Sequence, residues 1–227
     1  MDAGGVAIRV YLLANSQGTR AGLESGRAYP FIARDALVPR YDVHVLAVSG
    51  WSIREFNHNR ENVTELRPDL TVLQIGIVEC SRRILSGREK RILAAVPGGH
   101  RLTKALHDRR QQVIRARNRL GLNTRLFSVE EFEREVSDLV TAIEASGSRV
   151  LVLETPTFGP AYERRWFPLI NEDIGLFNRV LRQFGAVQLL PADADLEAVW
   201  VPGTVHLNER GHELAAERLA RLVEERA

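Results

Sequence analysis

Short apolar runs, each bounded by polar or turn-forming residues, recur along the chain at Val6 to Leu13, Val43 to Val48, Leu70 to Ile75, Val150 to Leu153 and Ala186 to Leu190. Each has the length and the branched or aliphatic character of a strand. Within them apolar residues follow one another almost without interruption, the pattern of strands covered on both faces. The stretches between read as helices: Ser52 to Leu66, about Val129 to Ala145, Asn171 to Phe184, and Glu209 to Arg226. In the last, Leu214, Leu219 and Leu222 lie near helical spacing, and Asn208 stands where it can cap the first turn. Strand–helix alternation of this kind predicts a three-layer α/β/α sandwich, flavodoxin-like, on about five parallel strands.

One stretch departs from the alternation. Residues from about Arg82 to Asn123 are rich in Arg and contain the breaker Pro97-Gly98-Gly99-His100. The part from Arg109 to Arg117 reads as a basic helix. Residues 1–227 are therefore expected to form a single domain carrying an Arg-rich helical insertion over about 82–123. The plain reading of this insertion is a solvated surface helix. The functional one is a lid, or a surface that recruits an anionic substrate, because guanidinium groups match carboxylate and phosphate.

Composition narrows the partners. At 227 residues and 44% apolar, the chain suits one well-packed core. Its 31 basic and 29 acidic residues leave a net charge of only +2, so no nucleic-acid partner is expected from charge. A lone cysteine, Cys80, excludes an intrachain disulfide. The first residues lack a basic stretch followed by a long apolar one, and no run approaches the roughly 18 apolar residues of a membrane span. A cytoplasmic protein with no membrane partner is the expectation.

Two loops carry candidate chemistry. Ser16 follows the first apolar run in Ala14-Asn15-Ser16-Gln17-Gly18, and His206 lies in Val201-Pro-Gly-Thr-Val-His206-Leu-Asn-Glu-Arg-Gly-His212, just before the last helix. An exposed hydroxyl and an imidazole on independently anchored loops are what nucleophilic catalysis needs. The plainer readings are a helix cap for Ser16 and a surface histidine for His206. Gly50 follows the second run, and Gln74-Ile75-Gly76-Ile77-Val78-Glu79-Cys80 closes the third. Other chemistries lack their signatures: there is no P-loop, no Gly-x-Gly-x-x-Gly after a strand and no His-Glu-x-x-His. Ser16 also does not sit in a Gly-x-Ser-x-Gly elbow.

Taken in order, Ser16 after one strand, Gly50 after the next, Gly76 with Glu79 after the third, the strand and loop from Val150 to Pro156, and finally His206 resemble the SGNH/GDSL hydrolase family, as a divergent member. The resemblance implies a serine hydrolase or esterase acting on an acyl ester of a small molecule or saccharide, without metal or organic cofactor. Ser16 would be the nucleophile, His206 the base, and the amides of Ser16 and Gly50 the oxyanion hole. Asn15, Gly76, Glu79, Arg82 and Arg83 would stand near substrate or oxyanion. An acyltransferase using the same acyl-enzyme, or a catalytically silent ligand-binding relative, are the alternatives. A further one is a different reaction, in which Glu79 and Arg82 or Arg83 handle a carboxylated or phosphorylated substrate.

The departures from the family pattern are specific. Its Gly-Asp-Ser reads Ala14-Asn15-Ser16 here, its oxyanion-binding Asn reads Val78, and the Asp three residues before the base reads Gly203. Losing one oxyanion donor typically lowers turnover by about 10²–10³, so Arg82 or Arg83, or else the backbone near Cys80, is expected to substitute. Asp193, Asp195 or the carbonyls of the Pro202 turn are expected to orient His206. Glu79 is expected to pair with one of the two arginines, Cys80 to be a small, half-buried residue, and His212 to be structural.

Overall fold

Five strands form one parallel sheet: β1 (Arg9–Ala14), β2 (Asp42–Ala47), β3 (Leu70–Gln74), β4 (Arg149–Glu154) and β5 (Val187–Gln188). They lie side by side as β2-β1-β3-β4-β5 in this computed structural model, which describes residues 7–19, 27–85, 87–120 and 125–227. Val6 and Asn123, at the ends of two expected segments, fall outside those residues. β3 is buried along its whole length and β1 from Val10 to Ala14, as continuous apolar runs require. β2, at the sheet edge, is only half-buried.

Among the described residues the helices are α1 (Tyr29–Leu37), α2 (Ile53–His58), α3 (Glu61–Thr64), α4 (Ile77–Cys80), α5 (Gly87–Ala95), α6 (Gly99–Asp108), α7 (Arg110–Arg119), α8 (Val129–Ala145), α9 (Pro160–Trp166), α10 (Ile170–Gln183) and α11 (Glu209–Arg226). The apolar stripe of α8 (Phe132, Val136, Leu139, Ile143) and that of α10 (Ile174, Phe177, Leu181) are buried, with Phe132 and Phe177 meeting at 4.7 Å between ring centroids. α1 packs on α11. Burial of these stripes is the main force holding the layers together.

The structure corrects several expected boundaries. Ser52 to Leu66 is two short helices, because the Asn59 side chain donates to the Glu55 carbonyl at 2.8 Å and ends α2. The expected strand Ala186 to Leu190 is paired only at Val187 and Gln188, opposite Leu153 and Glu154. Leu189 and Leu190 bury against the core without joining the ladder. α1 was not expected; it starts with Pro30 in its first turn, where the missing N–H is harmless. Between Gly87 and Arg119 lie three helices, α5, α6 and α7, the last of them over the stretch read as a basic helix. No helix among the described residues is long and apolar enough to cross a membrane.

Candidate functional site

In a sheet of this strand order, the chain leaves β1 and β3 toward opposite faces, and the crevice between their carboxyl ends is where ligands bind. Ser16 opens a 3-10 turn, Ser16–Gly18, at the end of β1, and Gly76 follows β3. Asn15, not Ser16, caps that turn, its side chain accepting from the Gln17 N–H. Ser16 Oγ has no hydrogen bond to a described residue, so the hydroxyl is free of the capping role. The turn is pinned from below: Gln74 Nε2 donates to Gln17 Oε1 at 2.9 Å, and the Tyr29 hydroxyl meets Gln74 Oε1 at 3.4 Å.

A cavity of about 450 Å³ opens above this crevice. Ser16, Gly50, Val78 and Arg83 line it, together with Gly203, Thr204 and His206 from the loop before α11. Residues 190 positions apart in sequence thus face one space. Asn15, Gly76, Glu79 and Arg82 are not among the lining residues. Asp193 and Asp195 are exposed and do not line it either.

Glu79 and Arg82 have other partners. Fully buried Glu79 accepts from the Ile53 N–H at 2.6 Å and from the Gly76 N–H at 3.0 Å, rather than pairing with an arginine. It therefore ties the loop after β2, which carries Gly50, to the loop after β3. Burial pushes its carboxyl up to about 7, against the pull of the two N–H groups. Gly76 has φ +115°, and a Cβ there would collide with Thr155 Oγ1, so only glycine fits. Arg82 is bound to the fully buried Asp173 through both Nε and Nη2, and Arg125 approaches the same carboxylate at 3.4 Å. Arg83 alone of the pair faces the cavity, its guanidinium meeting the Val78 carbonyl at 3.4 Å. Cys80 is fully buried, and burial pushes its thiol upward, which makes it inert.

The loop of His206 is held by residues that the sequence did not single out. The Tyr162 hydroxyl of α9 stands 2.5 Å from the Val201 carbonyl oxygen and 2.8 Å from that of Thr204, and accepts from the Thr204 N–H at 3.2 Å. Thr204 Oγ1 in turn donates to the Val201 carbonyl at 3.0 Å and accepts from the His206 N–H at 3.1 Å. α9 is anchored by the Glu197 carboxylate, which accepts from the Ala161 and Tyr162 N–H groups at its first turn. His206 Nδ1 is buried with no hydrogen-bond partner among the described residues, and Gly203, which lines the same cavity, has no side chain to offer it.

His212 lies fully buried on α11 behind this loop. Its Nδ1 accepts from the Tyr29 N–H at 3.1 Å, joining α11 to α1, and its ring stacks on Tyr29. Burial, helped by His206 nearby, lowers its pKa to about 4, so the ring is neutral near pH 7. No group of three or more His, Cys, Asp or Glu able to hold a metal ion occurs among the described residues.

Comparison with known proteins gives a consistent picture. The model of the GDSL-like Lipase/Acylhydrolase family matches residues 14–214. No curated protein matches the chain. Among solved structures, the psychrotrophic esterase EstA from Pseudoalteromonas sp. is similar with 12% identity and a TM-score of 0.60, covering 96% of this chain and 97% of its own. The acetyl xylan esterase AlAXEase is similar with 14% identity and a TM-score of 0.60, covering 95% of this chain and 100% of its own. A GDSL-like lipase from Bacteroides thetaiotaomicron VPI-5482 has 13% identity and a TM-score of 0.59, covering 97% and 90%. At such identities what is shared is the fold.

Proposed function

Because this chain belongs to the GDSL-like lipase/acylhydrolase family, we propose that it hydrolyses acyl esters of small molecules or saccharides through Ser16 and His206. The observation that carries the proposal is that these two side chains, from opposite ends of the chain, face the same cavity at the carboxyl ends of β1 and β3. With Nδ1 buried, Nε2 is the ring nitrogen left to take the Ser16 proton. Ser16 Oγ then attacks the acyl carbon, and the resulting oxyanion sits against the backbone N–H groups of Ser16 and Gly50. Return of the proton from His206 expels the alcohol. Water, deprotonated by the same imidazole, attacks the acyl-enzyme and releases the carboxylic acid.

Arg83 is proposed as the donor that stands in for the family's Asn, because it is the one arginine of the pair on the cavity wall next to Val78. A guanidinium offers several N–H groups and is always charged. The orienting role of the missing Asp passes to the hydrogen-bonded turn of Tyr162, Thr204 and His206. Unlike a carboxylate, that turn fixes the position of the ring without stabilising the imidazolium. The expectation is a slow esterase.

Incubation with a fluorophosphonate, followed by mass spectrometry of the peptides, tests the reading directly. A single adduct on Ser16, absent in Ser16→Ala and slowed in His206→Ala, is the expected result. An unlabelled wild type with no turnover of activated esters would instead support the silent ligand-binding reading, which the unpartnered His206 Nδ1 favours. Transfer of the acyl group to an added alcohol in preference to water would identify an acyltransferase.

A further inference from the structure

The chain's near-neutral charge hides a strong asymmetry. Residues 87–120 hold ten of its 31 basic residues and only two of its 29 acidic ones, leaving 21 basic and 27 acidic residues elsewhere. The same segment carries exposed aliphatic side chains. Ile92 on α5, Val96 in the connection and Leu102 on α6 are 54%, 47% and 50% exposed. Leu120 and Leu126 are exposed as well, and among the described residues Val38 is the one other large apolar side chain exposed to this degree.

α5 packs on α6 and α6 on α7, and the turn between the first two, Val96-Pro97-Gly98, is exposed. Arg91, Arg101 and Lys104, all exposed, alternate with the aliphatic residues along the two helices. We propose that this α5–α6 hairpin is a docking element for an anionic lipid surface. Basic side chains together with aliphatics on a short amphipathic element match the two layers of such a surface. The ammonium and guanidinium groups meet the headgroups, while Ile92, Val96 and Leu102 enter the acyl boundary. A polyanion such as RNA would use the charges and leave the aliphatics in water. The expectation of no membrane partner rested on the missing span, and docking of this kind needs none.

The hairpin also adjoins the cavity along the chain. Ile77, Val78, Ser81 and Arg83 line the cavity, Ile84 and Leu85 are buried, and α5 begins at Gly87. A docked hairpin would therefore hold the cavity close to lipid, although docking does not depend on the esterase reading.

Co-sedimentation of the intact chain with vesicles tests this without any activity measurement. Vesicles of phosphatidylcholine and phosphatidylglycerol are expected to pellet the protein, vesicles of phosphatidylcholine alone are not, and high salt should weaken the binding. The variant Ile92→Ser/Val96→Ser/Leu102→Ser should lose about tenfold or more in partitioning, and Arg91→Glu/Arg101→Glu/Lys104→Glu should lose nearly all of it. As an independent measurement in an otherwise intact chain, Leu102→Trp should be quenched by brominated acyl chains in the anionic vesicles. Three results would overturn the proposal: no pelleting with anionic vesicles, binding that survives loss of the aliphatics with no quenching at Leu102→Trp, or a stable dimer that buries these residues.

Discussion

Tyr162 and Thr204, 42 residues apart, hold each other in both directions: the phenol oxygen lies 2.8 Å from the Thr204 carbonyl oxygen and accepts the Thr204 N–H at 3.2 Å. The His206 N–H is then held by the Thr204 hydroxyl. On the proposed mechanism Tyr162→Phe should lower kcat by about tenfold with little change in KM, since the turn positions the base rather than the substrate. It should also destabilise the fold by about 1 kcal/mol, because the half-buried turn loses its hydrogen bonds to the phenol. Thermal unfolding and steady-state kinetics on an activated ester separate the two effects.

The neighbours Arg82 and Arg83 should behave oppositely. Arg82→Ala leaves Asp173 buried with only Arg125 nearby, and a loss of about 2–4 kcal/mol in stability is expected from denaturant unfolding. Arg83→Ala should leave the unfolding midpoint almost unchanged and lower kcat by about 10²-fold if its guanidinium binds the oxyanion. Unchanged turnover in Arg83→Ala would remove it from the mechanism.

Restoring the family's side chains should raise activity. Val78→Asn puts an amide on the cavity wall, and a gain of about 10-fold or more in kcat is expected. Gly203→Asp faces a backbone cost, because Gly203 has φ +76°, although Asp tolerates that region better than most residues. A Cβ there would meet the Trp166 ring at 3.5 Å, an ordinary contact. A gain in kcat together with a loss of about 1 kcal/mol in stability is the expected pairing, read by kinetics and thermal unfolding of the same preparation.

Two buried groups should tilt the pH dependence of stability in opposite directions. His212, lowered from 6.5 to about 4, gives stability that is complete above pH 6.5 and lost as pH falls toward 4, where the unfolded chain takes up the proton first. Glu79, raised from 4.5 to about 7, gives stability that is complete below pH 4.5 and lost as pH rises through 7. Each shift corresponds to about 3 kcal/mol across its window. Between pH 4.5 and 6.5 the slopes oppose each other, so the wild type should be nearly level there. His212→Asn, whose side-chain oxygen can still accept from the Tyr29 N–H, should lose stability with rising pH. Glu79→Gln should lose it with falling pH. Denaturant midpoints across that range check both signs.

The fold was legible because the runs at Leu70 to Ile75 and Val150 to Leu153 are apolar on both faces, a pattern that belongs to the interior of a parallel sheet. β5 was less so. Leu189 and Leu190 continue its apolar run, yet what fixes the end of pairing is the reach of β4 beside it. At the site, Ser16 and His206 could be singled out from their loops. Arg82 and Arg83 could not be told apart, because adjacent residues of one type diverge only once Asp173 and the cavity wall are in place. Tyr162 gave no local signal at all, since its role depends on where α9 lies against the turn from Val201 to Thr204.

Glu79 joins the loops after β2 and β3 through backbone N–H groups, and it does so from outside the cavity. The shape of the site and its chemical content are thereby entrusted to different side chains. Val78 and Arg83 can change identity without moving the amides around them, so reactivity can lapse, weaken or be reinstalled while the frame persists. The same property makes this chain a convenient host for altered specificity: substitutions at Val78 and Arg83 should act mainly on chemistry, whereas removing the Glu79 carboxyl would loosen the two loops it joins.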